Sequence, residues 1–204
     1  MIAIVDYGMG NLRSVEKGFL RVGVNSVVTS SQEIINTAKA VVLPGVGAFK
    51  DCMKNLTDLA LTEAIIRSIE KGKPFLGICL GLQVLFSESE EFGRCKGLDV
   101  FRGGVVRFQE DGLKIPHMGW NSIQIVKDNP LLKDIPDNAY FYFVHSYYVL
   151  PDDRDIISTV TDYGSAFTSM VWKDNVFATQ FHPEKSQELG LKLLRNFGVF
   201  AGVI

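Results

Sequence analysis

The sequence predicts an α/β fold, a single domain over residues 1–204 with a mostly parallel, doubly wound sheet and a strand-rich antiparallel extension in its second half. Three observations predict it. In the first half, short apolar runs alternate with segments whose apolar residues recur every three to four positions. That is the pattern of strands covered on both faces and of the helices that cover them. One apolar run ends in Gly77-Ile-Cys-Leu-Gly81, a cysteine between two glycines where strand gives way to helix, which is the frame of a nucleophile elbow. From about Leu98 the helical period stops, and strand-like runs joined by short turns take over.

Ile2–Val5 is apolar throughout and reads as the first parallel strand. Asp6-Tyr-Gly-Met-Gly-Asn11 turns the chain into a helix carrying Leu12, Val15, Phe19, Leu20 and Val22. Gly8-x-Gly10 invites a dinucleotide reading, but Arg13 stands where the third glycine of that fingerprint belongs. Ser26–Thr29 and Ala40–Leu43 are the next strands, with a short helix at Ile34-Ile35 between them. Helices near Phe49–Leu56 and Thr62–Lys71 lead to the elbow strand, Pro74 to Ile78, and a further helix from Leu80 carries Val84, Leu85 and Phe86. In the second half, strands are expected at Gly104–Phe108, Ser122–Val126, Tyr140–Leu150, Ile156–Thr161, Ala166–Trp172 and Val176–Phe181. Lys173-Asp-Asn175 suggests a hairpin. A last helix, Gln187–Phe200, offers Leu191, Leu194, Phe197 and Val199 to the sheet.

Composition narrows the function. The net charge is −2 with no basic run, so nucleic acid and acidic membrane surfaces find no electrostatic attraction here. No apolar stretch is long enough to span a bilayer, and Met1 leads straight into a strand instead of a targeting segment; a cytoplasmic location is the expectation. The three cysteines, Cys52, Cys79 and Cys95, are odd in number and form no C-x-x-C, which argues against a disulfide framework or a zinc site.

Candidate chemistry sits at three places. A sharp strand-to-helix turn raises Cys79 above the sheet edge, where the first helical turn offers free N–H groups and a positive dipole end that favour a thiolate. Taken alone, the motif also fits a small buried cysteine in a core strand. Pro44-Gly-Val-Gly47 is a tight turn at the carboxyl end of its strand. It reads either as an ordinary connection or as a loop whose backbone N–H can meet a developing oxyanion. Thr179-Gln-Phe-His-Pro-Glu184 places a carboxylate two residues from His182, which would fix the imidazole tautomer and raise its basicity. A surface ion pair is the plain alternative, and a metal site lacks a second ligand at usable spacing. With the elbow, a Cys79–His182–Glu184 triad is the stronger reading.

Together, Gly77-Ile-Cys-Leu-Gly-Leu-Gln83 and Phe181-His-Pro-Glu184 resemble the nucleophile and His/Glu motifs of the class I glutamine amidotransferases, over the whole chain and in order. The openings Ile4-Val-Asp-Tyr-Gly-Met-Gly-Asn-Leu-Arg-Ser14 and Leu43-Pro-Gly-Val-Gly-Ala-Phe49 are similar to those of the family's histidine-biosynthesis branch, as are Pro116-His-Met-Gly-Trp-Asn121 and Phe143-Val-His-Ser-Tyr-Tyr148. The resemblance implies glutamine hydrolysis through Cys79, His182 and Glu184. It implies an oxyanion hole from the backbone of Leu80, Val46 and Gly47, and glutamine held around Gly47, Gln83, Ser146 and Tyr147. It also implies no cofactor, and a heterodimer with a (β/α)8-barrel cyclase that receives the ammonia, with Asn11, Trp120 and Lys185 near that interface. A glutaminase of the vitamin B6 type, a free-standing γ-glutamyl hydrolase, and a redox or chaperone protein of the same fold are the alternatives.

Overall fold

The computed structural model describes residues 1–109 and 112–204. Its first half runs β1 (Ile2–Val5), α1 (Leu12–Arg21), β2 (Ser26–Thr29), α2 (Gln32–Thr37), β3 (Ala40–Gly45), α3 (Phe49–Asp58), α4 (Leu61–Glu70), β4 (Phe75–Cys79) and α5 (Leu80–Gln83). The second half runs β5 (Phe86–Ser89), β6 (Cys95–Lys96), β7 (Phe101–Arg107), β8 (His117–Ser122), β9 (Gln124–Ile125), β10 (Tyr140–His145), β11 (Tyr147–Pro151), β12 (Ile157–Asp162), β13 (Ala166–Lys173), β14 (Val176–Thr179) and α6 (Gln187–Phe200).

Strands β2, β1, β3, β4 and β14 lie side by side and all parallel. Their residues are buried along β1, β3, β4 and β14 without alternation, as a sheet covered on both faces requires. Beyond β14 the sheet continues antiparallel through β13, β11 and β7, and β5 and β6 close that edge. Strand β10 leaves the large sheet and, among the described residues, pairs only with β8, forming a separate two-stranded ribbon. Two apolar clusters fill the two faces; one is built on Phe49, Leu56, Leu61, Phe75 and Phe86, the other on Phe19, Phe141, Phe143, Phe177, Phe181 and Phe197.

The doubly wound parallel sheet and its antiparallel extension are as the sequence predicts, and several details differ. The helix after the elbow is a single turn, and Phe86 lies in a strand instead. The carbonyls of Val84 and Leu85, which a longer helix would use, accept hydrogen bonds from the backbone of Leu98, Val100 and Phe101. The run expected at Tyr140–Leu150 breaks at Ser146, because its two halves pair with different partners, β8 and β7. The run expected at Ser122–Val126 is likewise split: β8 begins earlier, at His117, and Ile123 separates it from β9. Helix α6 has the expected bounds but buries Gly190, Leu193, Leu194, Phe197 and Gly198, while Val199 points outward. Gly190 and Gly198 set that face, because a Cβ on either would stand 1.9 Å from the Pro183 carbonyl or 2.6 Å from Val24. Leu20, expected to pack, is exposed.

Close approach governs the elbow too. A Cβ on Gly81 would lie 1.8 Å from the Leu43 carbonyl oxygen, and one on Gly77 would lie 2.6 Å from that of Gly81. Both neighbours are backbone and cannot rotate away. Gly81→Ala is therefore expected to destabilise the chain by about 3 kcal/mol, at the upper end of overpacking costs. Gly104→Ala, where a Cβ meets open space, should stay within about 0.5 kcal/mol. Denaturant unfolding of both variants checks this; equal stabilities would show that the elbow relaxes freely.

Candidate active site

Three adjacent parallel strands deliver the site from one edge. In register, Gly45 of β3 stands beside Cys79 of β4, and Ile78 of β4 beside Thr179 of β14. The loops that follow therefore converge at the carboxyl edge, where open α/β sheets hold their ligands. Loop 45–47 flanks Cys79 on one side and the His182–Glu184 segment on the other.

Cys79 has φ 56° and ψ −107°, a left-handed backbone for a residue with a side chain. The turn drops straight into α5, so the N–H groups of that first turn are free to bind a negative charge. The cysteine is 6% exposed. Its sulfur stands 3.6 Å from the Gln180 side-chain nitrogen and 3.8 Å from the Val144 carbonyl oxygen, and it also interacts with His182.

His182 and Glu184 leave the end of β14 around Pro183, which starts a 3₁₀ turn. The imidazole Nδ1 lies 2.8 Å from Glu184 Oε1, and both side chains are almost wholly buried, 2% and 1% exposed. A carboxylate only accepts, so Nδ1 carries a proton toward it in either charge state. Nε2 is buried and makes no hydrogen bond of regular distance and angle, but it faces the Cys79 sulfur and couples to it by charge attraction and by a looser hydrogen-bond contact. Burial works against a charged imidazole here, but the Cys79 thiolate and the Glu184 carboxylate outweigh it and lift the His182 pKa to about 10. The imidazolium charge of His182 is thus held between the Cys79 sulfur and the Glu184 carboxylate. The main-chain N–H of His182 donates to the Tyr142 carbonyl, and Ser186 Oγ bridges the His182 carbonyl and the Tyr142 N–H, which ties the turn to β10.

In front of Cys79 lies a cleft of about 240 Å3 lined by Val46, Gly47, Leu80, Gln83, Ser146 and Tyr147, and also by Glu91, Pro116, Val144 and His145. Its mouth is open to the left-handed Gly47 (φ 94°). All the residues expected to bind substrate or oxyanion meet here; His182 and Glu184 stand behind the cysteine, outside the cleft. Glu91 is a cleft residue that the sequence does not mark. Its Oε2 accepts the Phe49 N–H at 2.7 Å, so it ties the start of α3 to the cleft wall. A lone glutamate in an irregular stretch gives no pattern to find it by.

A second buried group lies along the cleft floor. His145 Nδ1 is 2.8 Å from the Tyr147 carbonyl, and His145 Nε2 is 3.0 Å from His117 Nδ1. The carbonyl can only accept, so both imidazoles take one neutral tautomer, each donating through Nδ1. Burial pushes their pKa values down, to about 3 for His145 and about 4 for His117.

Of the residues placed by resemblance at an interface, Trp120 is 46% exposed and so is not a core residue. Tyr142 joins it to Lys185: the Trp120 ring meets Tyr142 edge-on at 6.3 Å, and the Lys185 ammonium sits 5.6 Å from the same Tyr142 ring. Asn11 is exposed at the start of α1 and is not part of this stack. Cys52 is buried in α3 with its thiol pushed up to about 12 by burial, and Cys95 lies half-exposed on β6. Among the described residues no group of three or more His, Cys, Asp or Glu is placed to hold a metal, and no helix is long and apolar enough to cross a membrane.

The His182 charge yields a pH prediction. Its proton is held more tightly in the folded chain than in the unfolded one, so this linkage stabilises the fold below the ordinary histidine range and fades as pH rises toward 10. In a ring-proton NMR titration, His182 should keep its charge through neutrality, whereas His117 and His145 should stay uncharged down to about pH 4. Cys79→Ala removes the thiolate, so the His182 midpoint should fall by more than about one unit. An unchanged midpoint would disprove the pairing.

The family model for class I glutamine amidotransferases matches residues 3–200. The chain is 55% identical to the imidazole glycerol phosphate synthase subunit HisH of Syntrophotalea carbinolica, over 97% of this chain and 99% of that one. It is 53% identical to the subunit of the same name from Methanothermobacter thermautotrophicus, over 97% of each. Among solved structures, a glutamine amidotransferase superposes with a TM-score of 0.78 over 100% of both chains at 18% identity. PurLQS from Thermotoga maritima does so with a TM-score of 0.76 at 17% identity, over 98% of this chain and 97% of that one. By the full-length family match and these relatives, the chain belongs to the class I glutamine amidotransferase family.

Proposed function

We propose that residues 1–204 work as one unit, the cytoplasmic glutaminase subunit of imidazole glycerol phosphate synthase in histidine biosynthesis, and that Cys79, His182 and Glu184 are its catalytic residues. The observation that carries this is a left-handed cysteine lining an amino-acid-sized cleft and paired, outside that cleft, with a buried His–Glu dyad. Relatives bearing that name over nearly full length support the same reading.

The chemistry follows from the charges. The Cys79 thiolate attacks the side-chain amide carbon of glutamine, and the carbonyl π electrons move to oxygen. The resulting oxyanion is met by the Leu80 N–H and by an N–H of the Val46–Gly47 loop, each such donor typically contributing about 3 kcal/mol. His182, already protonated, gives its proton to the departing nitrogen as the C–N bond breaks, which leaves ammonia and a γ-glutamyl thioester. It then takes a proton from water as that water attacks the thioester, so glutamate leaves and the thiolate–imidazolium pair is restored. Glu184 holds Nδ1 and the imidazolium charge throughout.

The substrate's other end is held by polar groups of the cleft. Both hydrogens of the Gln83 amide are used inside the protein, so it presents its Oε1 to the cleft as an acceptor. Glu91 adds a negative wall suited to an α-ammonium group. Ser146 and Tyr147 line the opposite side. Ammonia passes to a (β/α)8-barrel cyclase bound over the Trp120–Tyr142–Lys185 stack, with Asn11 at the edge of that contact.

Glutamate release by the purified chain, alone and then with a barrel cyclase and its ribonucleotide substrate, tests this reading. Strong stimulation by the loaded partner is expected; full activity without the partner would mark an independent hydrolase. Cys79→Ala should abolish glutamine hydrolysis and leave ammonia-dependent ring synthesis by the complex intact. Loss of both would give Cys79 a structural role. Glu184→Gln should lower kcat through the wrong tautomer, by up to about 10,000-fold, and an unchanged kcat would remove Glu184 from the triad.

A further inference from the structure

Gln180 is wholly buried at the end of β14, two residues before His182, and no role in the triad chemistry accounts for it. Its side chain lies between two others. Gln83 Nε2 donates to Gln180 Oε1 at 3.1 Å, and Gln180 Nε2 stands 3.6 Å from Cys79 Sγ. Gln83 Nε2 also donates to the Tyr147 main-chain carbonyl at 2.9 Å.

The order of these contacts fixes which end of each amide points where. A carbonyl oxygen only accepts, so the Tyr147 carbonyl requires the NH2 end of Gln83. That NH2 group also faces Gln180, which must then turn its oxygen toward Gln83. Its own NH2 is left aimed at the sulfur. The same Tyr147 carbonyl accepts from His145 Nδ1 at 2.8 Å, so the first acceptor in the chain is held from two sides. The main chain of Gln180 is fixed as well, its N–H bonded to the Ser169 carbonyl at 2.8 Å.

We propose that Gln180 is a positioning residue for the nucleophile: its side-chain N–H, oriented through Gln83 by the Tyr147 carbonyl, stabilises the Cys79 thiolate. A donor favours the ionised sulfur, because a thiolate accepts strongly and a thiol weakly. The Val144 carbonyl on the other side of Cys79 acts in the opposite sense, since it can accept only from the neutral thiol. Sulfur ionisation is thus set between one fixed donor and one fixed acceptor, in addition to His182. This inference rests on Cys79 being the glutaminase nucleophile.

Gln180→Met keeps length and removes the donor. The test is the pH dependence of iodoacetamide alkylation, followed by mass spectrometry of the Cys79 peptide in the complex with the barrel cyclase. Wild type should alkylate with a midpoint well below that of an ordinary thiol. Gln180→Met should shift that midpoint upward by about one unit and lower kcat for glutamine about tenfold with KM within about twofold, the scale of one hydrogen bond to a charged group. A low midpoint in wild type that is unchanged in Gln180→Met would overturn this proposal and leave the triad reading standing. An ordinary thiol profile in wild type would overturn both. Should Gln180→Met not fold, NMR carries the test: the 15N side-chain amide signal of Gln180 should move with the Cys79 titration in wild type and lose that step in Cys79→Ala. A signal that never moves would refute the contact.

Discussion

Cys79 holds φ 56° and ψ −107°, a backbone geometry that costs a residue with a side chain on the order of 1–3 kcal/mol. Neighbouring backbone keeps it there. Gly77 and Gly81 let the Leu43 carbonyl and the turn itself come closer than any Cβ would allow, and β3 and β14 clamp β4 from both sides. Relaxing the elbow would mean pulling apart three buried strands. The strain persists, then, because the packing around it is stronger, and its consequence is a sulfur raised off the sheet edge beside free helical N–H groups.

The other parts of the site are arranged about that sulfur by polar groups that can bond in only one sense. The Glu184 carboxylate fixes His182, and the Tyr147 carbonyl fixes both His145 and Gln83. These acceptors lie on elements that lead outward. Strand β10 supplies Val144 next to the sulfur, Tyr142 bonded to the His182 turn, and through β8 the exposed Trp120. Among the described residues the ribbon of β8 and β10 pairs with no other strand, so its position depends on side-chain packing and a few hydrogen bonds. A partner pressing on Trp120 and Lys185 would act on the same ribbon that supports His182. Coupling between interface and cleft needs no more than a shift of this element.

The parallel half of the fold was legible because its signals are local. Continuous apolar runs mark doubly covered strands, and Gly77-Ile-Cys-Leu-Gly81 carries the turn chemistry in its own residues. His182 and Glu184 were legible for the same reason, two residues apart beside a proline. Features set by long-range pairing were not. Nothing local in Phe86 shows that Leu98 and Val100 will take the carbonyls a longer helix needs, and nothing in Ser146 shows that the strands on either side will part. Gln180 and Glu91 were missed alike, since each gains its place from partners far along the chain.

If the strained cysteine forms a covalent bond to substrate, an acid quench traps it. Glutamine would be mixed with the chain bound to a barrel cyclase and its ribonucleotide, the reaction stopped in acid during turnover, and the peptides weighed. A γ-glutamyl adduct is expected on the Cys79 peptide, absent when the partner and its ligand are omitted. Steady glutamate release with no adduct on Cys79, or an adduct on Cys52 or Cys95 instead, would contradict it.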